Sequence, residues 1–466
     1  MNPSTTESEQ TTKKVRWRVG TLSYTTGGIV VLFFWLLLGD FSWSMRDRSV
    51  APMAQWYLDH LNVSNLIFGL LISSFPALVG LILGPIISVR SDRHRGRWGR
   101  RIPYLLITTP LAAMGMLGLA ATPLVAKWVH GFMPEQNEQL VALVCFGFFW
   151  AAFEFATIAG QSVFGGLIND VVPSTLLGRF YGLFRAISLI DGMIFNYWIM
   201  GMVPDYFTLI LLIVGLFYGV SFMIVCFKVK EGEYPAPPPK DESAVGGLKS
   251  WWRDIRQYFR ESFTNRYYLS IFLMLMLSLL SFYPVNIYAL PYARSLNIDM
   301  GTYGKFLALT YLISLCLSYF LGWISDILHP LRVSMVALLG YFLVSAWGMI
   351  YAKTPDMFLT AWVAHGVLSG CYFTSSASLT MRLFPRNKFA QFGSAAAIFA
   401  APATMAIAPL TGMVIDVSDD SYHLVFALGS ALALSGFLLG IYVYIQFKRH
   451  GGPKNYVAPM VPDELP

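Results

Sequence analysis

Twelve apolar runs, each long enough to cross a bilayer core of about 30 Å as a helix, alternate along the chain with short polar or turn-rich segments. Read against charge and turn punctuation, the first six predicted spans cover roughly 22–58, 64–89, 103–126, 140–169, 176–202 and 206–227. The second six cover roughly 268–293, 301–325, 333–352, 357–383, 389–416 and 422–447. The pattern predicts an all-α integral membrane protein with twelve transmembrane helices in two six-helix halves. It divides the chain into a tail over 1–21, a first bundle over 22–227, a linker over 228–267, a second bundle over 268–447 and a tail over 448–466.

The linker changes character along its length. Pro235 to Pro239 and the polar residues 240–243 form a turn-rich stretch that buries no core. Trp251, Trp252, Ile255, Tyr258, Phe259 and Phe263 then fall near one face at helical spacing, with arginines largely elsewhere. That predicts an amphipathic helix at the membrane surface.

Lysine and arginine placement sets the orientation. With the N-terminus cytoplasmic, 26 of the 33 Lys and Arg residues fall in segments assigned to the inside, and the outer loops hold a sparse, mixed set. Both termini are therefore expected in the cytoplasm, with the protein in a plasma (inner) membrane. The first twenty residues are polar, then basic, and read as a tail rather than a cleavable signal.

Composition narrows the class. Only 13% of residues are charged, against about a quarter in a soluble chain, and the mean hydropathy is +0.56. Membrane topology accounts for the net charge of +7, so nucleic acid is not expected as a partner. Cys145, Cys226, Cys316 and Cys371 each sit inside an apolar run, a spacing that supports neither zinc nor a disulfide framework. With no nucleotide loop and no metal-spaced His/Cys cluster, neither an enzyme nor a cofactor is expected. The expected partners are the lipid bilayer and a small-molecule substrate, bound by a monomer.

The two halves read as pseudo-symmetric repeats. Leu167, Pro173, Arg179 and Phe180 match Leu379, Pro385, Gln391 and Phe392 at one constant offset. Gly322 to Asp326, at the end of the eighth span, echoes Ser88 to Asp92 at the end of the second. Such six-plus-six duplication is how many secondary transporters are built, with the substrate path between halves near the midplane.

The loop Ser91-Asp92-Arg93-His94-Arg95-Gly96-Arg97-Trp98-Gly99-Arg100-Arg101-Ile102-Pro103 resembles the loop between helices 2 and 3 of major facilitator superfamily transporters. Within that superfamily the chain is similar to the glycoside–pentoside–hexuronide:cation symporters and the sucrose:proton symporters. Gly39-Asp40-Phe41 adds to the first likeness. Phe149-Trp150, Glu154, Gln161 and Leu167-Ile-Asn-Asp170 add to the second, with Glu where those carriers usually have Asp. The resemblance implies the major facilitator fold, sugar transport, and a cytoplasmic gate held by Asp92, Arg93, Gly99, Arg100 and Arg101, with Asp326 as a weaker counterpart.

Ionisable groups at membrane depth are costly and mark function. Glu154 lies near the middle of the fourth span, where a carboxyl that gains and loses a proton could couple transport. A fixed structural ion pair is the alternative. Gln161 projects from nearly the same face. Arg185 in the fifth span is a possible partner for Glu154 or a ligand for a substrate hydroxyl or carboxylate, unless it merely snorkels to the interface. Asn196 shares its face, while Asp191 points about 120° away.

Asp40 sits about 22 Å along the first helix, as a second coupling acid. Asp47 shares its face, and Arg46-Asp47-Arg48 either lines the cavity or lies solvated at the outer mouth. Tyr283, Asn286, Tyr288, Tyr311, His365 and Tyr372 are the polar or aromatic candidates of the second half. Of these, Tyr283, Asn286, Tyr311 and His365 join Gln161, Arg185, Asn196 and Asp47 as expected substrate ligands, with packing roles as the alternative.

The resulting expectation is a secondary active transporter of a small polar solute, a sugar or glycoside, coupled to protons through Glu154 and Asp40 and working by alternating access. Protons are favoured over sodium as the coupling cation. An exporter of drugs or metabolites, and a non-transporting membrane sensor or assembly factor, are the competing readings.

Overall fold

A computed structural model describes residues 17–234, 256–385 and 388–459. The first half comprises α1 (Thr26–His60), α2 (Asn65–Arg93), α3 (Ile102–Phe132), α4 (Glu138–Val171), α5 (Ser174–Ile194) and α6 (Val203–Lys228). The second comprises α7 (Arg266–Ser295), α8 (Met300–Leu328), α9 (Pro330–Tyr351), α10 (Pro355–Ser376), α11 (Phe389–Val417) and α12 (Leu424–Arg449). Ten helical runs among the described residues are long and apolar enough to cross a membrane. One of them takes in both α5 and α6, and α10, which carries His365, is not among the ten. The architecture is that of an integral membrane protein with the major facilitator fold.

Side-chain caps start several of these helices where the sequence turns polar. Thr25, Asn137, Asn265 and Asp299 each accept a backbone N–H of the first turn, satisfying donors that would otherwise be orphaned. The first helix begins later than its apolar run implies. Trp17–Val19 (β1) and Leu22–Tyr24 (β2) pair as an antiparallel hairpin. Gly20 turns it with φ +54°. The expected helical start at 22 is therefore a strand, whose alternation packs Trp17, Leu22 and Tyr24 on the core of the first half.

Two helices are interrupted. Leu70–Ser74 in α2 and Phe195–Ile199 after α5 form π turns, each accommodating an extra residue and re-aiming the side chains beyond it. A 3-10 turn at Met200–Met202 and the non-helical Tyr206 then separate α5 from α6.

The β1–β2 hairpin, the loop between α2 and α3 and the described segment after α12 lie at one end of the bundle, here called the terminal end. At the opposite, far end the halves meet: the first turns of α2 pack on the end of α11, and the turns after α5 pack on the start of α8.

The expected amphipathic helix is present over 256–263, while Trp251, Trp252 and Ile255 lie outside the described residues. Tyr258 and Phe263 pack on a second-half cluster that includes Tyr268, Phe272 and Phe392. Its anchor is Glu261, which accepts from Gln391 (2.9 Å), Gln257 (2.8 Å) and Lys388 (3.3 Å). The Gln391 hydrogen bond is the main influence holding this carboxyl down, at about 2 instead of its ordinary 4.5. A depressed carboxyl stabilises the structure above its unfolded pKa, and that contribution fades as pH falls through the folded value. Amide protection over 256–263 is expected to drop as pH falls from about 4.5 towards 2, and to lose this dependence in Glu261→Gln. Hydrogen exchange followed across that window checks it; an equally steep fall in both proteins would exclude the anchor.

Candidate functional site

Between the halves lies a cavity of about 420 Å³, walled by α1 and α5 on one side and by α7, α8 and α10 on the other. The first-half wall is charged. Asp47, Arg48 and Arg185 face the cavity. Arg48 donates to the hydroxyls of Tyr311 and Ser188, both at 3.2 Å, with its guanidinium 5.0 Å from the Tyr311 ring centroid.

Arg46 turns the other way, as 100° per residue requires. It is fully buried in the first half, 3.9 Å from the Trp43 ring centroid and 3.4 Å from the Thr157 hydroxyl. Asp47 pairs with it at 2.5 Å. The triplet Arg46-Asp47-Arg48 thus divides: the first residue enters the bundle and the other two line the cavity.

Glu154 of α4 lies within electrostatic reach of Arg46 and Asp47. Arg185, considered as its partner, is instead beside Arg48 and Tyr311. Gln161 is exposed but is not among the residues lining the cavity.

A second acidic pair lies behind Arg48. Asp40 and Asp191 are both fully buried. Asp40 accepts from Ser44 at 3.3 Å; among the described residues its Oδ2 has no hydrogen-bond partner, and neither oxygen of Asp191 has one. Asp191 lies in the fields of Asp40 and Arg48. Asp191 lies about 120° around the helix from Arg185. An acid inside an apolar run was itself the signal.

The second-half wall carries no charge and is aromatic and hydroxyl-rich. Asn286 and Tyr311 line it. His365 does not: it is fully buried, bonded through Nε2 to Asn286 (3.0 Å) and through Nδ1 to Tyr341 (2.9 Å). Its place is behind Asn286, which it orients. Trp362 stacks on His365 and on Tyr303, with centroids 5.4 and 5.7 Å apart. Tyr283 does not line the cavity, Tyr372 is core, and Asn196 is buried with its amide bonded to the Gly192 carbonyl at 2.7 Å.

At the terminal end, the arginine-rich loop is tied to its own half. Asp170, at the end of α4, accepts from Arg100 (Nε, 2.8 Å) and Arg101 (Nε, 3.2 Å). Arg101 also reaches Ser91 at 2.6 Å and pairs with Asp92. Glu231, just beyond α6, accepts the backbone N–H groups of Arg100 (3.0 Å), Arg101 (2.8 Å) and Ile102 (2.7 Å), placing a negative charge at the start of α3, where the helix dipole favours one. Gly99 is required there: its φ is +100°, and a Cβ would strike the Glu231 side chain.

Among the described residues, the bonds of Arg100 and Arg101 in this conformation stay within the first half. The carboxylates within reach of Arg100 and Arg101 come from α2, α4 and the segment after α6, while Arg93 is exposed and the Asp92 side chain is 53% exposed. Asp326 lies on α8, with its side chain outside the described set.

The far end holds a clamp that the sequence did not reveal. Asp416 of α11 accepts from the Asn65 amide (2.8 Å) and from the backbone N–H of Asn65 and Leu66, both at 3.0 Å. It therefore caps α2 from the opposite half. Tyr288 donates to the Asn65 carbonyl at 2.8 Å and Tyr422 to its Oδ1 at 3.0 Å. Arg294 pairs with Asp59 at 2.7 Å, and Ser74, in the first π turn, donates to the Met405 carbonyl at 2.5 Å. Close approach depends on glycine: a Cβ on Gly412 would overlap the Asn65 carbonyl, and one on Gly69 would meet the Ala408 backbone.

The fold sets twelve helices in two halves, with a polar cavity between them and a clamp at one end. The model of the Major Facilitator Superfamily matches residues 271–459, in the second half. A bacterial homologue of the iron transporter ferroportin, in an inward-facing state, is 16% identical, covers 89% of this chain and 98% of its own, and has a TM-score of 0.63. The outward-facing structure described in the same terms is 16% identical, with coverage of 88% and 99% and a TM-score of 0.53. A D-xylose-proton symporter is 13% identical, with coverage of 89% and 97% and a TM-score of 0.58. No curated protein sequence matches the chain. The family match thus lies in the second half, and the likeness to these solved structures shows the fold over nearly the whole chain.

Proposed function

We propose that the chain is a secondary active transporter moving a small polar solute, a sugar or glycoside, by proton-coupled alternating access. The observation that carries this reading is the cavity between the halves, about 420 Å³ in volume and backed by the buried acids Asp40 and Asp191. A pocket of this size, with a few polar groups beside aromatic faces, suits a small ligand. Asn286, Tyr311, Arg48 and Arg185 are its polar contacts.

The orphaned oxygens of Asp40 and Asp191 favour protons over sodium as the coupling cation. Without a partner, a carboxyl is buried at lowest cost in its protonated, neutral form. Glu154, beside Arg46, is the third coupling candidate. With lysine and arginine placing the terminal end in the cytoplasm, the clamped far end faces outward and this conformation opens inward. On closure, the half-exposed Asp92 would be the acid that reaches the second half.

The test is uphill accumulation in proteoliposomes under an imposed pH gradient, screened with labelled sugars. Glu154→Gln and Asp191→Asn are expected to abolish accumulation and spare solute exchange. Accumulation at the wild-type level in both variants would refute the coupling assignment.

A further inference from the structure

The cavity's charge is one-sided. Asp47 has its charge taken up by Arg46 at 2.5 Å, and Asp40 and Asp191 are buried behind the wall. Apart from the Arg46–Asp47 pair, what the cavity presents from α1 and α5 is two guanidinium groups, Arg48 and Arg185, lining the same space. Arg48 donates only to the neutral hydroxyls of Tyr311 and Ser188. Arg185 makes no hydrogen bond or ion pair among the described residues. The opposite wall offers Asn286, Ser314, Ser369 and the faces of Trp362 and Phe373, all uncharged.

Two like charges held together at membrane depth without an anion between them are costly. A planar guanidinium fork matches an oxyanion bidentately, and a hydroxyl poorly. We propose, building on the transporter reading, that the solute carries an oxyanion, a carboxylate or a phosphate, bound by Arg48 and Arg185. Its uncharged body lies against the aromatic and hydroxyl wall. This arrangement orients the solute across the seam between halves, so that binding draws both walls together.

The test measures binding by the full-length protein in nanodiscs to D-glucose, D-glucuronate and glucose 6-phosphate, three probes alike in their ring and different in charge. At least one anion is expected to bind about tenfold or more tightly than glucose, as one charge-assisted pair warrants; which anion it is separates carboxylate from phosphate recognition. Arg185→Gln should remove that preference without lowering the unliganded unfolding temperature, and Arg185→Lys should restore it in part. Glucose binding as well as both anions, with no effect of Arg185→Gln, would overturn the inference and leave the transporter reading standing. Binding of none of the three overturns it too, and the accumulation assay then judges transport separately.

Discussion

Replacing Asp170 with alanine lowers the stability of the folded protein by about 3 kcal/mol, the scale for removing one partner from a mostly buried ion pair. Asp170 is only 12% exposed and serves two arginines, Arg100 and Arg101, themselves 20% and 9% exposed. Without it, two guanidiniums lie close together and Arg100 has no other carboxylate bonded to its side chain among the described residues. The end of α4 loses its tie to the loop before α3. Asp92→Ala is the control. Its carboxylate pairs with Arg101 but is half exposed, so its loss should cost about 0.5–1 kcal/mol. Thermal unfolding of the detergent-solubilised protein, followed by tryptophan fluorescence, compares the two. Equal losses would show that the network is not centred on Asp170.

The second large effect is at the far-end clamp. Gly412→Ala places a methyl group where the Asn65 carbonyl and the Tyr288 hydroxyl now sit. Backbone cannot rotate away as a side chain can, so α2 and α11 must separate. Overpacking of this kind costs about 1–3 kcal/mol, and the bonds from Asp416 and Tyr288 to Asn65 and Leu66, each worth about 0.5–1.5 kcal/mol, weaken with it. Their sum reaches several kcal/mol, enough to move a two-state equilibrium by about a hundredfold or more.

The far-end-open state should then dominate. A cysteine introduced by Ser369→Cys, in a background with the four native cysteines replaced, reports the change. Its reaction with an impermeant maleimide is expected to shift from the terminal face to the far face. Reactivity unchanged from either face would mean that close approach at Gly412 does not control closure.

The contrast between these sites shows what a sequence makes legible. The order of the helices could be read, because apolar length and end-capping residues are local properties, although the start of the first span is a strand. So could the chemistry of the arginine-rich loop, because six arginines between two spans have few other uses. Its partners were another matter. Asp170 and Glu231 come from segments far along the chain, and only the fold brings them to one loop. The charge triplet of α1 divides between bundle and cavity by helical geometry, which needs to know which face the neighbours cover. Nothing local marks Asp416 and Asn65, which are polar residues near helix ends brought together only by the fold. His365, by contrast, has partners on both ring nitrogens, and that packing role had been kept open.

The two π turns carry a mechanical consequence. Both lie in the first half, in α2 and directly after α5, and both touch the opposite half where the far end is shut. Absorbing or releasing the extra residue of such a turn rotates the helix beyond it by about 100°, with only a few backbone hydrogen bonds rearranged. Their opposing helices, α8 and α11, are α-helical at those contacts. One repeat therefore has a gear with slack in it and the other a fixed rack. Two halves descended from a common plan would divide their labour unequally, the first bending as the second holds its line.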